Sequence, residues 1–180
     1  MVLVIYYATG VRRARPARDG RGQGDGSGVM RGTDVTIRRA TASDARRLTT
    51  LVRRSSAYEG RYAAMVAGYR VGPDYIATHR VFVAVDATDR LFGFYSLVLD
   101  PPELDLMFVS DLAQGLGIGR RLAEHMKAQA RAEGIASVRV VSHPPAEGFY
   151  RSVGARRVGT LRANPPSVAW DRPELAFVLD

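Results

Sequence analysis

The chain has no cysteine, a single lysine, and no run approaching the ~18 consecutive apolar residues that a membrane helix needs. The missing cysteine excludes disulfides, a thiolate metal site and a cysteine acyl-enzyme. The missing apolar run makes a soluble, cytoplasmic protein without a membrane partner the expectation. Lys127 is the one lysine among 26 basic residues, and this excess of arginine is read as coding bias. What remains is a chain of 180 residues, the length of one domain able to bury its own core.

The net charge of +8 is unevenly spread. Up to residue 29, five arginines (Arg12, Arg13, Arg15, Arg18, Arg21) face Asp19 and Asp25, a net of +3 that leaves +5 for the rest. That stretch is rich in glycine and poor in apolar surface, so residues 1–32 read as a disordered extension or a misassigned start, and 33–180 as the domain. Its opening apolar run, Val2 to Ala8, has no preceding basic residues, which argues against a secretory signal. Elsewhere the arginines are scattered without interleaved aromatics, so no nucleic-acid partner is expected.

The most informative stretch is Gln114-Gly115-Leu116-Gly117-Ile118-Gly119, followed by Arg120. The apolar segment from Leu104 to Val109 precedes it and reads as a strand. Beyond it, Ile118, Leu122, Met126 and Ala130 recur every fourth residue, as on one face of a helix. Strand, glycine turn and helix start together make an anion site: orphan N–H groups converge, the helix dipole favours negative charge, and glycine admits a phosphate close to the backbone. The glycine spacing is wrong for a dinucleotide turn, and there is no Gly-Lys-Ser/Thr of a phosphate loop.

A second motif follows the strand-like Ser137–Val141: Ala146-Glu147-Gly148-Phe149-Tyr150, with Gly154 four residues after the tyrosine. Gln114, Gly117 and Gly119, taken with Ala146, Phe149, Tyr150 and Gly154, resemble the two signature motifs of the GNAT superfamily of acetyl-CoA-dependent N-acetyltransferases. Val35 to Ala45 is similar to the family's first strand and the turn into its first helix. The resemblance covers about residues 34 to 162 and fades afterwards.

The resemblance implies a fold, a cosubstrate and a site. The fold is a single α/β (α+β) domain with a mostly antiparallel mixed sheet of about six or seven strands, splayed at the cofactor cleft and flanked by about four helices. Acetyl-CoA would lie in that gap, held through the backbone of Met107, Phe108 and Val109. Its pyrophosphate would rest on the turn of Gln114, Gly115, Leu116, Gly117, Ile118, Gly119 and Arg120. Ser142 stands where many relatives carry an asparagine toward the pantetheine arm, and serine reaches less far. Tyr150 aligns with the tyrosine that protonates the departing thiolate. Asp105 and Glu103, two apart on one strand and so on one face, are the candidate bases, Asp105 first. His143 is a further candidate. No metal site is expected. With no cysteine, direct transfer is favoured over a thiol-linked intermediate.

Elements are expected at 35–39, in a helix opening at Ser43 as N-cap, over 57–69, in a turn after Pro73, and in a hairpin of 81–85 with 91–99. Strand 103–109, helix 117–132 closed by Gly134, strand 136–141, helix 145–152 and strands 155–161 and 174–179 follow. Tyr58, Glu59, Tyr62, Met65, Tyr69, Tyr75, residues 164–167 and Trp170 are candidates for the acceptor wall. The acceptor is a primary amine of a small molecule or peptide, taken by a monomer or homodimer. The alternative is a non-catalytic acyl-CoA-binding sensor that kept the turn.

Overall fold

A computed structural model describes residues 34–56, 62, 66, 68–165 and 168–179. The N-terminal extension, most of the helix expected over 57–69, and with it Tyr58, Glu59 and Met65, lie outside the described residues. The elements are β1 (Thr36–Arg39), α1 (Ala45–Arg54), α2 (Pro73–Thr78), β2 (Arg80–Val85), β3 (Leu91–Leu99), β4 (Pro102–Val109), α3 (Ile118–Ala132), β5 (Ser137–Val141), α4 (Glu147–Ser152), β6 (Arg156–Leu161) and β7 (Arg172–Val178). Among the described residues no helix is long and apolar enough to cross a membrane.

The strands form one seven-stranded sheet in the order β1-β2-β3-β4-β5-β7-β6. Every neighbouring pair is antiparallel except β4 with β5. Each face carries its own core. Ile118, Leu122, Met126 and Ala130 of α3 pack on Tyr95, Leu97, Leu104 and Met107. On the other face, Leu48 and Val52 of α1 and Ile76 of α2 pack on Val83, Phe94, Leu106 and Phe108. Enclosing one such leucine contributes about 1.5–3 kcal/mol.

Leu104 and Met107 belong to one face and Leu106 and Phe108 to the other. Strict alternation cannot do this. The register with β3 gives the cause: Leu97 faces Leu104 and Ser96 faces Leu106, which leaves Asp105 as the extra residue of a β-bulge.

The helix ends follow local chemistry. Thr41, not Ser43, begins the first helical segment, a short 3-10 turn over Ala42–Asp44 that leads into α1. The Asp44 carboxylate accepts the Thr41 N–H at 2.7 Å, and Ser43 Oγ sits 2.7 Å from Thr41 Oγ1. A carboxylate is the stronger acceptor, so it captures the orphan N–H. At the far end of α3, Gly134 takes φ 73°. Ile135 N–H then bonds Ala130 O at 3.0 Å and Gly134 N–H bonds Arg131 O at 2.9 Å, the two bonds of a Schellman close.

Candidate active site

β4 and β5 run parallel, yet they are in register at one pair, Glu103 with Arg139. Beyond it β5 continues alongside β7, from Ser137 opposite Val178 to Val141 opposite Glu174. The sheet therefore splits at its centre, and β4 from Asp105 to Val109 has no ladder partner on the β5 side among the described residues. Ser110 N–H bonds Phe92 O at 2.8 Å. By the alternation of an antiparallel ladder, Ser110 and Phe108 turn their peptide groups toward β3, and Met107 and Val109 turn theirs to the open edge. All three side chains from Met107 to Val109 are buried, so it is backbone that the gap meets.

At the end of β4 a 3-10 turn over Asp111–Ala113 leads into the glycine turn. Gly115 and Gly117 have φ of 80° and 78°, the left-handed region that glycine enters without cost. They swing the chain round so that α3 begins at Ile118 with Gly117 as its N-cap. Arg121 N–H bonds Gly117 O at 3.1 Å, so the amides of Ile118, Gly119 and Arg120 precede the first intrahelical bond. No atom lies within 4 Å of where a Cβ on Gly115 or Gly117 would project. The turn is thus an open cradle of N–H groups at the positive end of a 15-residue helix. The Gln114 amide donates to Asp111 Oδ1 at 3.0 Å, Leu116 is exposed, and Arg120 stands exposed at the first turn.

Both candidate bases sit at the split. Glu103 is 6% exposed. Its Oε2 accepts from Arg139 Nη1 at 3.0 Å, while Oε1 is buried with no hydrogen-bond partner among the described residues. Burial pushes its carboxyl above the usual range and outweighs the lowering by Arg139. Asp105, the bulge residue, accepts from the Tyr75 hydroxyl. Burial raises its carboxyl too, against the lowering by the Tyr75 hydrogen bond and by nearby His79. Two partly desolvated carboxylates with raised pKa values are the groups expected where a proton must be taken up near neutral pH.

Tyr150, on α4, is completely enclosed, its ring edge-on to Phe149 at 5.2 Å and to Phe177 at 6.4 Å. Ser142 is also fully buried, and its hydroxyl donates to His143 O at 2.8 Å. Its one proton is therefore committed to the neighbouring backbone. His143 is buried at the end of β5, edge-on to Tyr62 at 4.0 Å, and Tyr62 in turn meets Trp170 at 4.5 Å. These three rings join three distant parts of the chain. A cleft of about 770 Å³ opens between α1 and Ser110–Leu112, with Arg46 and Arg54 on its rim. None of Glu103, Asp105 or Tyr150 lines it, so the chemistry is not placed there.

Tyr75 and Arg139 are the members that the sequence reading did not assign to the carboxylates. Tyr75 figured as a wall aromatic, and Arg139 carried no signal beyond lying in a strand. Each reaches a partner 30 or more residues away.

A family model described as an acetyltransferase (GNAT) domain matches residues 69–164, more than half of the chain. The chain belongs to the GNAT acetyltransferase family. It is an N-acetyltransferase of that family, whose members use acetyl-CoA as cosubstrate. Among its relatives, the peptidyl-lysine N-acetyltransferase YjaB of Salmonella typhimurium is 27% identical over 134 residues, 69% of this chain and 86% of that protein. The solution structure of apo-form YjaB from Escherichia coli superposes with a TM-score of 0.60 at 22% identity, covering 81% of this chain and 99% of that one. A GNAT-family acetyltransferase from Staphylococcus aureus gives a TM-score of 0.62 at 17% identity, over 81% and 99% of the two chains. The GNAT fold accounts for the split sheet and for the glycine turn at the start of α3.

Proposed function

We propose that this GNAT protein acts in the cytoplasm and transfers an acetyl group from acetyl-CoA directly to a primary amine, with Asp105 or Glu103 taking the amine proton and Tyr150 protonating the departing sulfur. The observation that carries the reading is the open β4 edge, which runs from the buried Glu103 and half-buried Asp105 carboxylates to a helix N-terminus built on left-handed glycines.

The residues suit such a cosubstrate. An extended, amide-bearing arm can pair with the peptide groups of Met107 and Val109 as a strand would. The amides of Ile118, Gly119 and Arg120, with the Arg120 side chain, match a pyrophosphate. Ser142, whose hydroxyl proton goes to His143 O, would meet the pantetheine arm as an acceptor only. Acetyl-CoA supplies an activated acyl thioester when bound.

The chain's part is proton management. Asp105 receives a proton from the amine nitrogen, directly or through one water, as that nitrogen forms the new C–N bond. The Tyr150 hydroxyl gives its proton to the sulfur as the C–S bond breaks, and is reprotonated after the products leave. Glu103, with one oxygen committed to Arg139, offers the other to hold the acceptor's positive charge. Two carboxylates make the centre locally acidic in a chain whose net charge is +8.

The YjaB relative is a peptidyl-lysine acetyltransferase by name, which makes lysine-bearing peptides the first acceptors to try. The test measures acetyl-CoA binding by calorimetry and acetyl-CoA-dependent CoA release across peptides, free amino acids, aromatic amines and polyamines, all on the full chain. Turnover with any acceptor supports the reading. Binding without turnover in every class favours a cofactor sensor, and absence of binding overturns both.

A further inference from the structure

We propose that Tyr75 is a positioning residue that fixes the carboxylate of the bulged Asp105 and, by donating to it, favours its ionised, proton-accepting form; this rests on the reading of Asp105 as the base.

Asp105 stands outside the β3–β4 pairing. As the extra member of the bulge it faces no residue on β3, since Leu104 takes Leu97 and Leu106 takes Ser96. Its side chain is instead held from another layer. Tyr75, in the six-residue helix α2, donates its hydroxyl proton to Asp105 Oδ2. The Tyr75 hydroxyl oxygen also lies 2.8 Å from the hydroxyl of Ser96, which is fully buried beside the bulge. A phenol has one proton to give. With that proton on Asp105, Ser96 is left to donate to Tyr75, and a chain Ser96 → Tyr75 → Asp105 forms. Each bond in such a chain polarises the next, so the donor reaching Asp105 is strengthened.

The groups around Asp105 can be named. Tyr75 faces it from α2 and His79 from the residue that caps α2, and their rings meet edge-on at 4.6 Å. Tyr69 acts on Tyr75 from the segment before α2. Ser96 comes from β3, and Glu103 from β4 with its charge turned to Arg139 on β5. Burial and then the Asp105 carboxylate keep the Tyr75 phenol protonated far above its ordinary value. It therefore serves as a fixed donor across the working pH range and does not itself titrate. Burial favours the protonated form of Asp105, and the Tyr75 hydrogen bond opposes it.

The test follows the Asp105 carboxyl in the full chain labelled with carboxyl-13C aspartate, its resonance assigned by its disappearance in Asp105→Asn. In Tyr75→Phe the titration midpoint should rise by about one pH unit, the loss of one hydrogen bond to a charged acceptor. The acid limb of kcat/KM should move by the same amount, giving about tenfold lower activity on that arm with a smaller change on the plateau. A packing defect would lower the plateau and leave the midpoint in place, and that result overturns the proposal. Ser96→Ala should move the midpoint the same way but less. If Tyr75→Phe does not fold, Ser96→Ala decides: an upward shift supports the chain of bonds and none overturns it. Should Asp105→Asn keep the acid limb, Asp105 is not the base, yet the carboxyl titration still decides whether Tyr75 controls it.

Discussion

Glu103 stands across from Arg139, and their 3.0 Å ion pair lies at the one register pair between β4 and β5, at the apex of the split. Arg139 also reaches Glu174 on β7 through Nε at 2.5 Å. It therefore ties the two halves of the sheet where no further ladder does.

Arg139→Ala should leave Glu103 as a buried carboxylate without its cation. Because Arg139 is 37% exposed at its side chain, the loss is discounted from the full cost of breaking an enclosed pair, to about 1–3 kcal/mol by urea denaturation. Arg139→Lys keeps the charge but not the two-sided fork, and should lose a smaller part. Acetyl-CoA affinity measured alongside should fall with stability, since the gap is held at its apex by this residue.

At Gly117, backbone strain and anion repulsion can be separated. The residue has φ 78° with no neighbour near a Cβ, so a side chain meets strain but no clash. Gly117→Asn should cost about 1 kcal/mol or less, because asparagine tolerates the left-handed region. Gly117→Asp should fold comparably yet lose far more acetyl-CoA affinity, with a carboxylate set against the pyrophosphate. Equal affinities by calorimetry would place the phosphates elsewhere.

Tyr150→Phe removes one hydroxyl from a fully enclosed ring. Acetyl-CoA binding should persist while kcat drops by about 10²-fold, the usual weight of a single proton donor. A kcat unchanged in steady-state assays would reduce Tyr150 to a packing side chain between Phe149 and Phe177.

Two aspartates should give stability of opposite sign with pH. Burial would raise Asp44, but hydrogen bonds from Arg38, the Thr41 amide and Arg47 hold it well below the usual range. Its stabilisation is present above the unfolded value near pH ~4 and is lost as pH falls toward the lower folded value. Asp44→Asn should therefore cost on the order of 2–3 kcal/mol at pH 7 and little in strong acid. Asp105 is raised by burial, so the fold favours its neutral form and loses that favour as pH climbs through the folded value. Asp105→Asn should leave the melting temperature at pH 7 equal to or above that of the parent while activity collapses. A lower melting temperature would mean that the charge itself holds the fold together.

What the sequence determined by itself is local. The start of α3, its closing glycine, the hairpin across Asp86–Arg90 and the glycine turn before α3 are written in spacings of a few residues, because capping, turn geometry and helical periodicity act over that range. The strand of β4 was legible too, but not its irregularity: Leu104, Leu106 and Phe108 alternate as a regular strand would, and the bulge at Asp105 exists because of pairing with β3. The same holds for the start of α1, where Thr41 and Asp44 displaced Ser43 through a carboxylate that arginines from β1 and α1 had already oriented. The partners of the two carboxylates were decided by tertiary structure alone. Tyr75 lies 30 residues from Asp105 and Arg139 lies 36 from Glu103. No local pattern records such a contact, because it forms when the sheet brings separate segments together and buries the charges between them.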